Sequence, residues 1–321
     1  RDTLYFADGS EERVPRLSGD PVGSMVLNTV AAGGQVMVFA GSRRQAETAA
    51  QTLSNLLKPV PKDFEALKRL SEEIFDGSDF SQRLSSCVRR GVAFHHAGLS
   101  YAQRRAVESA FREGLIKTIV ATPTLAAGVN IPARTVVIPD VKRGGEDMTV
   151  MEYKQLCGRA GRPGYDREGL AVIVAKNSRQ RSLYMGRYVL GELEPVTSML
   201  QDQSSLRFHM LGLVSSGYGD ENAIKSLLSK TLAMRHEGPA LLEKARSALL
   251  YLEAAKFVVR KEGSYAPIKL GKRVAQLYID PLTARIILAR LDNVEQAGPQ
   301  AEDQALLTIS STPDVEDLPN L

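Results

Sequence analysis

Five short apolar runs, separated by segments of helical character, constrain the fold of this chain more than any other feature. Each run is continuously apolar rather than alternating, and together they cover residues 35–40, 91–95, 117–121, 135–139 and 170–174. Continuous runs of this length are typical of parallel strands that are buried on both faces. Strands that alternate with helices therefore predict an α/β fold, a parallel sheet with helices on both faces. Ligands of such sheets bind beyond the carboxyl ends of the strands.

A pair of arginines before the fifth run is the strongest candidate for phosphate chemistry. Arg159 and Arg162 each follow a glycine, and they stand three positions apart. Arginine is always charged and offers a planar fork of donors that matches phosphate oxygens. If the segment is helical, both side chains lie on one face and would reach a nucleotide triphosphate as arginine fingers. A basic surface turn is the alternative that these residues leave open.

Two further groups of polar residues follow strand ends. Ser42 is placed to cap a helix directly after the first run, and Arg43 and Arg44 follow it at the start of that helix. A strand, a tight turn and a helix N-terminus form an anion site, so a nucleic-acid backbone is one ligand for this loop. A solvated first turn is the alternative. His95 and His96 stand at the end of the second run. Contact with a ligand and simple packing are the two alternative roles for these histidines.

Helices dominate the chain from about residue 200. Apolar residues at helical spacing predict helices over 204–216, 221–234 and 239–255, and a hairpin follows at 257–260 and 265–268. Three helices and a two-stranded wing are the pattern of a winged helix, a variant of helix-turn-helix. Exposed basic residues on the third helix are few. This favours packing over base recognition as the role of the module.

The domain organisation follows from these changes of character. The 321 residues predict a first domain over 1–198, a largely helical winged-helix domain over 199–295, and a linker with the start of a further helical domain over 296–321. Residues 60–90 carry alternating charge, which predicts two helices of a surface insertion. Residues 296–303 are polar and predict a flexible segment.

The net charge and the two cysteines indicate which partners and which redox compartment suit the chain. The net charge of +4 and the pI near 9.0 are compatible with a polyanionic partner. Cys87 and Cys157 form neither a metal-ligand cluster nor a disulfide framework, which predicts a reduced, cytosolic compartment. No apolar run approaches the ~18 residues of a membrane span. The chain opens without a methionine, which suggests a fragment of a longer protein.

Three stretches together resemble a known family. Phe-His-His-Ala-Gly-Leu-Ser at 94–100, Ala-Thr-Pro-Thr-Leu-Ala-Ala-Gly-Val-Asn-Ile-Pro at 121–132, and the arginine pair within 155–166 stand in a fixed order. In that order they resemble motifs IVa, V and VI of superfamily 2 nucleic-acid helicases. They are most similar to the Ski-type branch and, within it, to the archaeal helicase 308 family, relatives of the polymerase theta helicase domain. The resemblance continues through 206–209 and 277–283.

The resemblance implies a second RecA-like domain followed by a winged helix. It implies that Gln155, Arg159 and Arg162 face ATP as the catalytic group of this domain. Gly128 and Asn130 of motif V would sense the nucleotide. It also implies a set of nucleic-acid contacts, most of them in loops: Ser42, Arg43, His96, Gly98, Thr122, Thr124, Lys142 and Arg143. A hairpin predicted over 141–148 by its Gly-Gly turn would be the family's strand-separating wedge, although it is short and has no aromatic tip. A plain connection is the alternative.

The chain has no Gly-x-x-x-x-Gly-Lys-Ser/Thr stretch and no Asp-Glu-x-His box. In the resembled family these belong to a first RecA-like domain, which would bind most of the ATP and Mg²⁺. We therefore expect this chain alone to be unable to hydrolyse ATP.

The expected function is the C-terminal motor half of an ATP-dependent 3′ to 5′ DNA helicase that unwinds forked or damaged replication intermediates. The expected partners are single-stranded and forked DNA, the first RecA-like domain, and replication or repair proteins, with no membrane. Its location would be the cytoplasm, at the nucleoid. A Ski-type RNA helicase and a non-enzymatic nucleic-acid-binding adaptor are the alternatives. The missing P-loop favours an adaptor, and the arginine pair disfavours it.

Overall fold

The computed structural model describes residues 2–123, 131–143, 146–161, 166 and 168–316. The chain separates into two compact units, Arg1–Glu194 and Pro195–Leu321. Each unit has a hydrophobic core of its own. The division into three parts at residues 198 and 295 stays a prediction.

The first unit opens with an antiparallel pair, β1 (Asp2–Tyr5) and β2 (Glu11–Val14). The Asp8 carboxylate accepts a hydrogen bond from Ser10 N at 2.9 Å in the turn between these strands. The remaining strands of this unit are β3 (Val36–Phe39), β4 (Val92–His95), β5 (Thr118–Ala121), β6 (Thr135–Ile138), the short pair β7 (Lys142–Arg143) and β8 (Glu146–Asp147), and β9 (Leu170–Ile173).

Five of these strands form the predicted parallel sheet. Their order is β4–β5–β3–β6–β9, and every neighbouring pair is parallel. The four strands from β3 to β6 are buried along their whole length. A parallel strand reaches this state only when both faces of the sheet are covered. The α/β fold class predicted from the continuous apolar runs is confirmed.

Helices cover the sheet. The helices described in this unit are α1 (Pro21–Ala31), α2 (Arg43–Leu56), α3 (Phe64–Glu73), α4 (Asp79–Val88), α5 (Tyr101–Arg112), α6 (Val150–Cys157) and α7 (Ser178–Tyr184), which runs into a π-helix at Met185–Val189. α1 packs on β3 and β6, and α2 packs on β4 and β5. Asp20 caps α1 directly before Pro21, because its carboxylate accepts from Val22 N and Gly23 N.

The prediction of a surface insertion at residues 60–90 is wrong. α3 and α4 belong to the core of the first unit, where Leu67 is 1% exposed and Leu84 is fully buried. α4 packs on both α2 and β4. The alternating charges occupy only the outer face of each helix. The apolar residues between them lie one turn apart on the inner face.

The second unit combines helices with one small sheet. Its helices are α8 (Gln203–Ser215), α9 (Glu221–Leu228), α10 (Leu232–Glu237), α11 (Ala240–Ala254), α12 (Lys269–Leu277), α13 (Pro281–Gln296), α14 (Ala301–Ser310) and α15 (Pro313–Glu316). The strands β10 (Val258–Lys261) and β11 (Ser264–Pro267) form the predicted wing. Its turn residues Glu262 and Gly263 have φ values of +51° and +79°, which suit a two-residue hairpin turn.

Two predictions for the second unit are wrong in detail. A single helix was expected over 221–234, but the chain breaks between α9 and α10. The Thr231 hydroxyl accepts a hydrogen bond from Met234 N at 3.3 Å and starts a new helix there. Residues 296–303, expected to be flexible, contain a 3₁₀ turn at Gly298–Gln300 and the start of α14. α14 packs against α13, which orders this segment.

Candidate functional site

The loop after β3 carries the first predicted nucleic-acid contacts. The Ser42 hydroxyl accepts a hydrogen bond from Gln45 N at 3.2 Å, so Ser42 caps α2 as predicted. Arg43, the first residue of the helix, is exposed to solvent. Helix N-termini favour anions because their first N–H groups have no partner within the helix. The loop therefore combines a positive side chain with a helix terminus.

This loop lies against the hairpin formed by β7 and β8. A methyl group added to Gly41 would lie 2.8 Å from the carbonyl oxygen of Lys142. Only a glycine permits so close an approach between two backbones. Lys142 and Arg43 are thereby carried by adjacent segments. The hairpin predicted over 141–148 is present, with Lys142 opposite Asp147 and residue 143 opposite Glu146.

The loop after β4 meets the same region. A methyl group added to Gly98 would lie 3.9 Å from Cδ of Arg43. The Gly98 N–H donates to Nδ1 of His96 at 3.1 Å, which fixes the backbone of this loop. Ser42, Arg43, Gly98 and Lys142 therefore lie at the carboxyl edge of the sheet, where the parallel-strand rule places ligands.

His96 turns inward from this edge. Its side chain is 2% exposed, and Nε2 lies 3.5 Å from Oε1 of Glu47 on α2. The ring stacks on Phe94 with 5.5 Å between the ring centroids. Burial lowers the pKa of His96, with Glu47 acting in the opposite direction. A neutral ring is required for Nδ1 to accept from Gly98. The contacts of His96 thus favour positioning of the loop, and its phosphate contact stays a prediction.

His95 and Thr122 are also buried. Nε2 of His95 lies 2.9 Å from Oε1 of Glu108 on α5. Burial lowers the pKa of His95, and the hydrogen bond with Glu108 raises it in part. The Thr122 N–H donates to the carbonyl oxygen of His95 at 3.2 Å, which continues the pairing of β4 with β5. Thr122 is 8% exposed, so a phosphate contact by its hydroxyl stays a prediction.

The predicted nucleotide-facing residues Gln155 and Arg159 belong to the helix α6 and to the turn after it, not to the end of a strand. α6 begins with a reciprocal capping box, in which Thr149 and Glu152 bond each other's backbone N–H. Gln155 lies on the exposed side of α6. The helix ends at Cys157, with Gly158 as its cap. The helical-face argument for residues 159 and 162 is therefore wrong, because Arg159 already stands beyond the helix.

Backbone pairing fixes Arg159 at the other side of the sheet. The carbonyl oxygen of Arg159 accepts from Ala133 N at 2.9 Å, and Gly161 N donates to the carbonyl oxygen of Ala133 at 2.7 Å. Ala133 leads into β6. Gly169, which leads into β9, approaches the same turn so closely that an added methyl group would lie 2.4 Å from Gly161 N. Arg159 is half-buried at the amino ends of β6 and β9.

The structure thus places the predicted residues in two separate groups. Ser42, Arg43, Gly98 and Lys142 form the group at the carboxyl ends of the strands. Gln155 on α6 and Arg159 directly after it form the second group. Five predicted contacts cannot be placed: Thr124, Gly128, Asn130 and Arg162 lie outside the described residues, and so does the side chain of Arg143.

Three carboxylates with specific roles were missed by the sequence analysis. Glu47 and Glu108 hold the two histidines at the end of β4. Glu194 accepts hydrogen bonds from the N-terminus of α6, from Val150 N at 2.5 Å and Met151 N at 2.9 Å. Each of these pairs joins residues that are distant in sequence, so no local pattern signals them. The Thr149–Glu152 capping box, in contrast, is a local motif with a spacing of three residues.

Neither cysteine has the surroundings of a reactive thiolate. Burial raises the pKa of the Cys87 thiol to about 11. Burial also raises the pKa of Cys157, and a hydrogen bond with Tyr153 opposes this increase only in part. Among the residues that the structure describes, no group of three His, Cys, Asp or Glu side chains is placed to hold a metal ion. In the same part of the chain, no helix combines the length and apolar character needed to cross a membrane.

Comparison with known proteins gives a consistent set of relatives. Residues 22–164 match the family described as helicase conserved C-terminal domain. The chain is 38% identical over 321 aligned positions to the ATP-dependent DNA helicase Hel308 of Methanocella arvoryzae, covering 96% of this chain and 43% of that protein. Proteins of the same name from Pyrobaculum calidifontis and Thermoplasma acidophilum are 36% and 38% identical, over 97% of this chain and 46% and 44% of theirs. The chain spans less than half the length of these curated relatives.

Proposed function

Because this chain belongs to the Hel308 group of superfamily 2 helicases, we propose that it is the C-terminal motor half of an ATP-dependent DNA helicase. The full motor would unwind forked or damaged replication intermediates in the 3′ to 5′ direction. The observation that carries this proposal is the separation of Arg43, Gly98 and Lys142 from Gln155 and Arg159. A motor needs one surface for the nucleic acid and another for the nucleotide.

The nucleic-acid surface of this proposal is the carboxyl edge of the sheet. Arg43 and Lys142 would contact phosphates as cations, and the backbone around Gly98 would add N–H donors. Contacts of this kind position a strand without reading its sequence. The hairpin of β7 and β8 adds little net charge, because Lys142 and Arg143 stand opposite Asp147 and Glu146. This supports a steric role for the hairpin beside the strand.

The nucleotide surface would be formed by Gln155 and Arg159, together with Arg162. Arginine suits this role because its guanidinium matches phosphate oxygens and keeps its charge in a closed cleft. The pairing of Arg159 with Ala133 supports the role, because it fixes the backbone from which the side chain extends. ATP with Mg²⁺ supplies the phosphoryl group. We assign the holding of Mg²⁺ to the first RecA-like domain, since this chain contains no P-loop and no Asp-Glu-x-His box.

The proposed partners follow from the assignment of one surface to the nucleic acid and another to the nucleotide. They are single-stranded and forked DNA, the first RecA-like domain of the same polypeptide, and proteins of replication or repair. The proposed location is the cytoplasm, at the nucleoid. DNA is preferred to RNA as the substrate because the three relatives are each named as DNA helicases.

The test is strand separation by a polypeptide that carries this chain behind its first RecA-like domain. Forked DNA with a 3′ single-stranded arm, the same fork with a 5′ arm, and an RNA fork are compared with and without ATP. We expect ATP-dependent opening of the 3′-armed DNA fork. Preferential opening of the RNA fork would indicate the Ski-type RNA helicase instead. Binding without ATP hydrolysis or opening of any fork would indicate the adaptor.

A further inference from the structure

The last ten residues of the first unit, 185–194, form a segment that we call the strap. It begins with the π-helix Met185–Val189 and ends at Glu194, directly before the second unit. π-helices are rare, and they occur frequently at functional sites. The strap contacts both the hairpin of β7 and β8 and the helix α6, which carries Gln155.

One end of the strap closes the N-terminus of α6. The first N–H groups of a helix have no partner within it. The Glu194 carboxylate accepts from Val150 N at 2.5 Å and from Met151 N at 2.9 Å. These hydrogen bonds lower the pKa of Glu194, led by the one from Val150. Thr149 supplies the acceptor for the third N–H, so Glu194 provides what the local sequence does not.

The other end of the strap holds the hairpin. Arg187 Nη1 lies 2.8 Å from Oδ2 of Asp147, the last residue of β8. The hydroxyl of Tyr188 donates to the carbonyl oxygen of Met148 at 2.9 Å. Tyr188 is 1% exposed, so this bond is sheltered from water. Between these two ends, Lys154 Nζ donates to the carbonyl oxygen of Val189 at 2.7 Å and ties the strap to the middle of α6.

The position of these contacts matters because only Met148 and Thr149 separate β8 from α6. A two-residue link has only four soft backbone dihedrals, and a change in a few of them is enough for it to act as a hinge unless contacts hold both sides. The strap supplies such contacts on both sides of the link. Without the strap, the hydrogen bond from Met148 N to the carbonyl oxygen of Val141 and the capping box of Thr149 still hold the link, but fewer contacts fix the angle between α6 and the hairpin.

We propose that Glu194 is a positioning residue and that the strap holds α6 and the hairpin together, so that they move as one rigid body. The proposal rests on the function proposed above, in which Gln155 faces the nucleotide and the hairpin faces the DNA. A movement of α6 on nucleotide binding or release then displaces the hairpin by a fixed amount. With the strap released, ATP is still hydrolysed, but the movement is absorbed at the link.

The test uses the full-length polypeptide with the substitution Glu194→Ala. ATP consumption and the base pairs opened are measured on the same forked DNA. We expect the base pairs opened per ATP to fall roughly two- to thirtyfold, the range of coupling changes for substitutions along a network. DNA-stimulated ATP hydrolysis stays near the wild-type rate. We call the number of base pairs opened per ATP the coupling ratio. Glu194→Gln keeps one acceptor oxygen but loses the charge, so its coupling ratio lies between that of the wild type and that of Glu194→Ala.

Two further variants make the test decisive. Arg187→Ala releases the strap at the hairpin and lowers the coupling ratio even if Glu194→Ala fails to fold. Glu192→Ala is the matched control, because Glu192 is exposed and has no hydrogen bond or ion pair within the described chain. Two results overturn the proposed role of the strap and leave the proposed function standing. One is an equal loss of ATP hydrolysis and strand opening. The other is an unchanged coupling ratio in both Glu194→Ala and Arg187→Ala. A wild-type protein that opens no fork overturns the proposed function as well.

Discussion

Arg207 Nη2 lies 3.0 Å from Oδ2 of Asp280 inside the second unit, where the two side chains are 16% and 4% exposed. Asp280 also accepts from the Ser204 hydroxyl and from Leu282 N, and its own N–H donates to Asp314. The Asp280 carboxylate thus joins α8 to α13, and its backbone N–H adds a contact with α15. Both residues lie in the segments at 206–209 and 277–283 that resemble the helicase family, which gives those segments a structural role.

Replacement of Asp280 is expected to destabilise the second unit strongly. Asp280→Ala leaves the Arg207 guanidinium without its partner and removes the cap of α13. The loss of one partner of a buried ion pair costs about 3–5 kcal/mol of unfolding free energy. The measurement is urea unfolding of the chain followed by circular dichroism.

The control for this prediction is another capping aspartate in the same unit. The exposed Asp220 accepts from Ala223 N at 2.8 Å at the start of α9. Asp220→Ala removes only this cap, at a cost of about 1 kcal/mol. Similar losses for the two variants would show that the Arg207–Asp280 pair contributes no more than an ordinary cap.

Stability is expected to decrease as the pH falls below 6.5. Burial lowers the pKa of His95 and of His96 below the value of 6.5 for a free histidine. Well above pH 6.5 both rings are neutral whether the chain is folded or not. Below it, the unfolded chain takes up protons that the folded chain excludes, so the free energy of unfolding falls until the folded pKa values are reached. The charged groups that face His96 are Glu47 and Arg43, beside His95.

Urea unfolding at several pH values between 5 and 8 tests this prediction. We expect the dependence on pH to be weaker in His96→Gln than in the wild type. His236→Gln is the matched control, because His236 lies exposed in the second unit. An unchanged pH dependence in His96→Gln would contradict the assignment of a neutral, buried ring.

Gly169 is expected to be essential for the position of Arg159. A methyl group at this position would lie 2.4 Å from Gly161 N and 2.5 Å from the carbonyl carbon of Ala160. Gly169→Ala therefore has to displace the turn that carries Arg159. A misplacement of about 1 Å costs catalysis ~10²-fold, and we expect a loss of this size in DNA-stimulated ATP hydrolysis.

Gly212→Ala is the control for this glycine. It lies in α8, and a methyl group there would meet no atom within 4 Å. We expect its rate of hydrolysis to equal that of the wild type. A Gly169→Ala variant that hydrolyses ATP at the wild-type rate would show that the close backbone contact has no bearing on the nucleotide site.

Removal of a basic side chain at the carboxyl edge is expected to weaken DNA binding in a salt-dependent way. Arg43→Ala and Lys142→Ala each remove one of the proposed phosphate contacts. The slope of log affinity against log salt concentration then decreases by about one for each variant. Fluorescence anisotropy with labelled single-stranded DNA measures this slope.

Lys62→Ala is the matched control for these two variants. Lys62 is exposed next to Asp63, whose carboxylate lies 3.8 Å from Nζ of Lys117 at the amino end of β5. It therefore carries the same charge at the opposite edge of the sheet, and its loss leaves the slope unchanged. An equal effect of all three substitutions would indicate a general charge effect rather than a defined binding edge.

The sequence predicts the sheet well because its signals are local. The strands β3 to β6 are buried on both faces, so each leaves a continuous apolar run. The cap at Asp20 and Pro21 and the turn at Glu262 and Gly263 are likewise visible, because one or two residues determine their backbone geometry. The carboxyl-edge location of Arg43 and Gly98 follows from the parallel order of the strands.

Contacts between distant residues were not predictable. Glu194 reaches the start of α6 from 44 positions away, and nothing near it in sequence indicates that role. The burial of Leu67 and Leu84 depends on which face of α3 and α4 packs inward, α3 on α4 and α4 on α2 and β4. The charges of these helices suggested the surface, but packing of the apolar face decides their position.

The most direct test of the nucleotide assignment is DNA-stimulated ATP hydrolysis by the full-length polypeptide. Arg159→Ala and Arg162→Ala are compared with the wild type and with Arg179→Ala, an exposed arginine on α7. We predict that the first two variants lose ~10³-fold in rate while still binding DNA, as expected for arginines that stabilise a transferring phosphoryl group. Arg179→Ala keeps the wild-type rate. Wild-type hydrolysis in Arg159→Ala and Arg162→Ala would contradict the account.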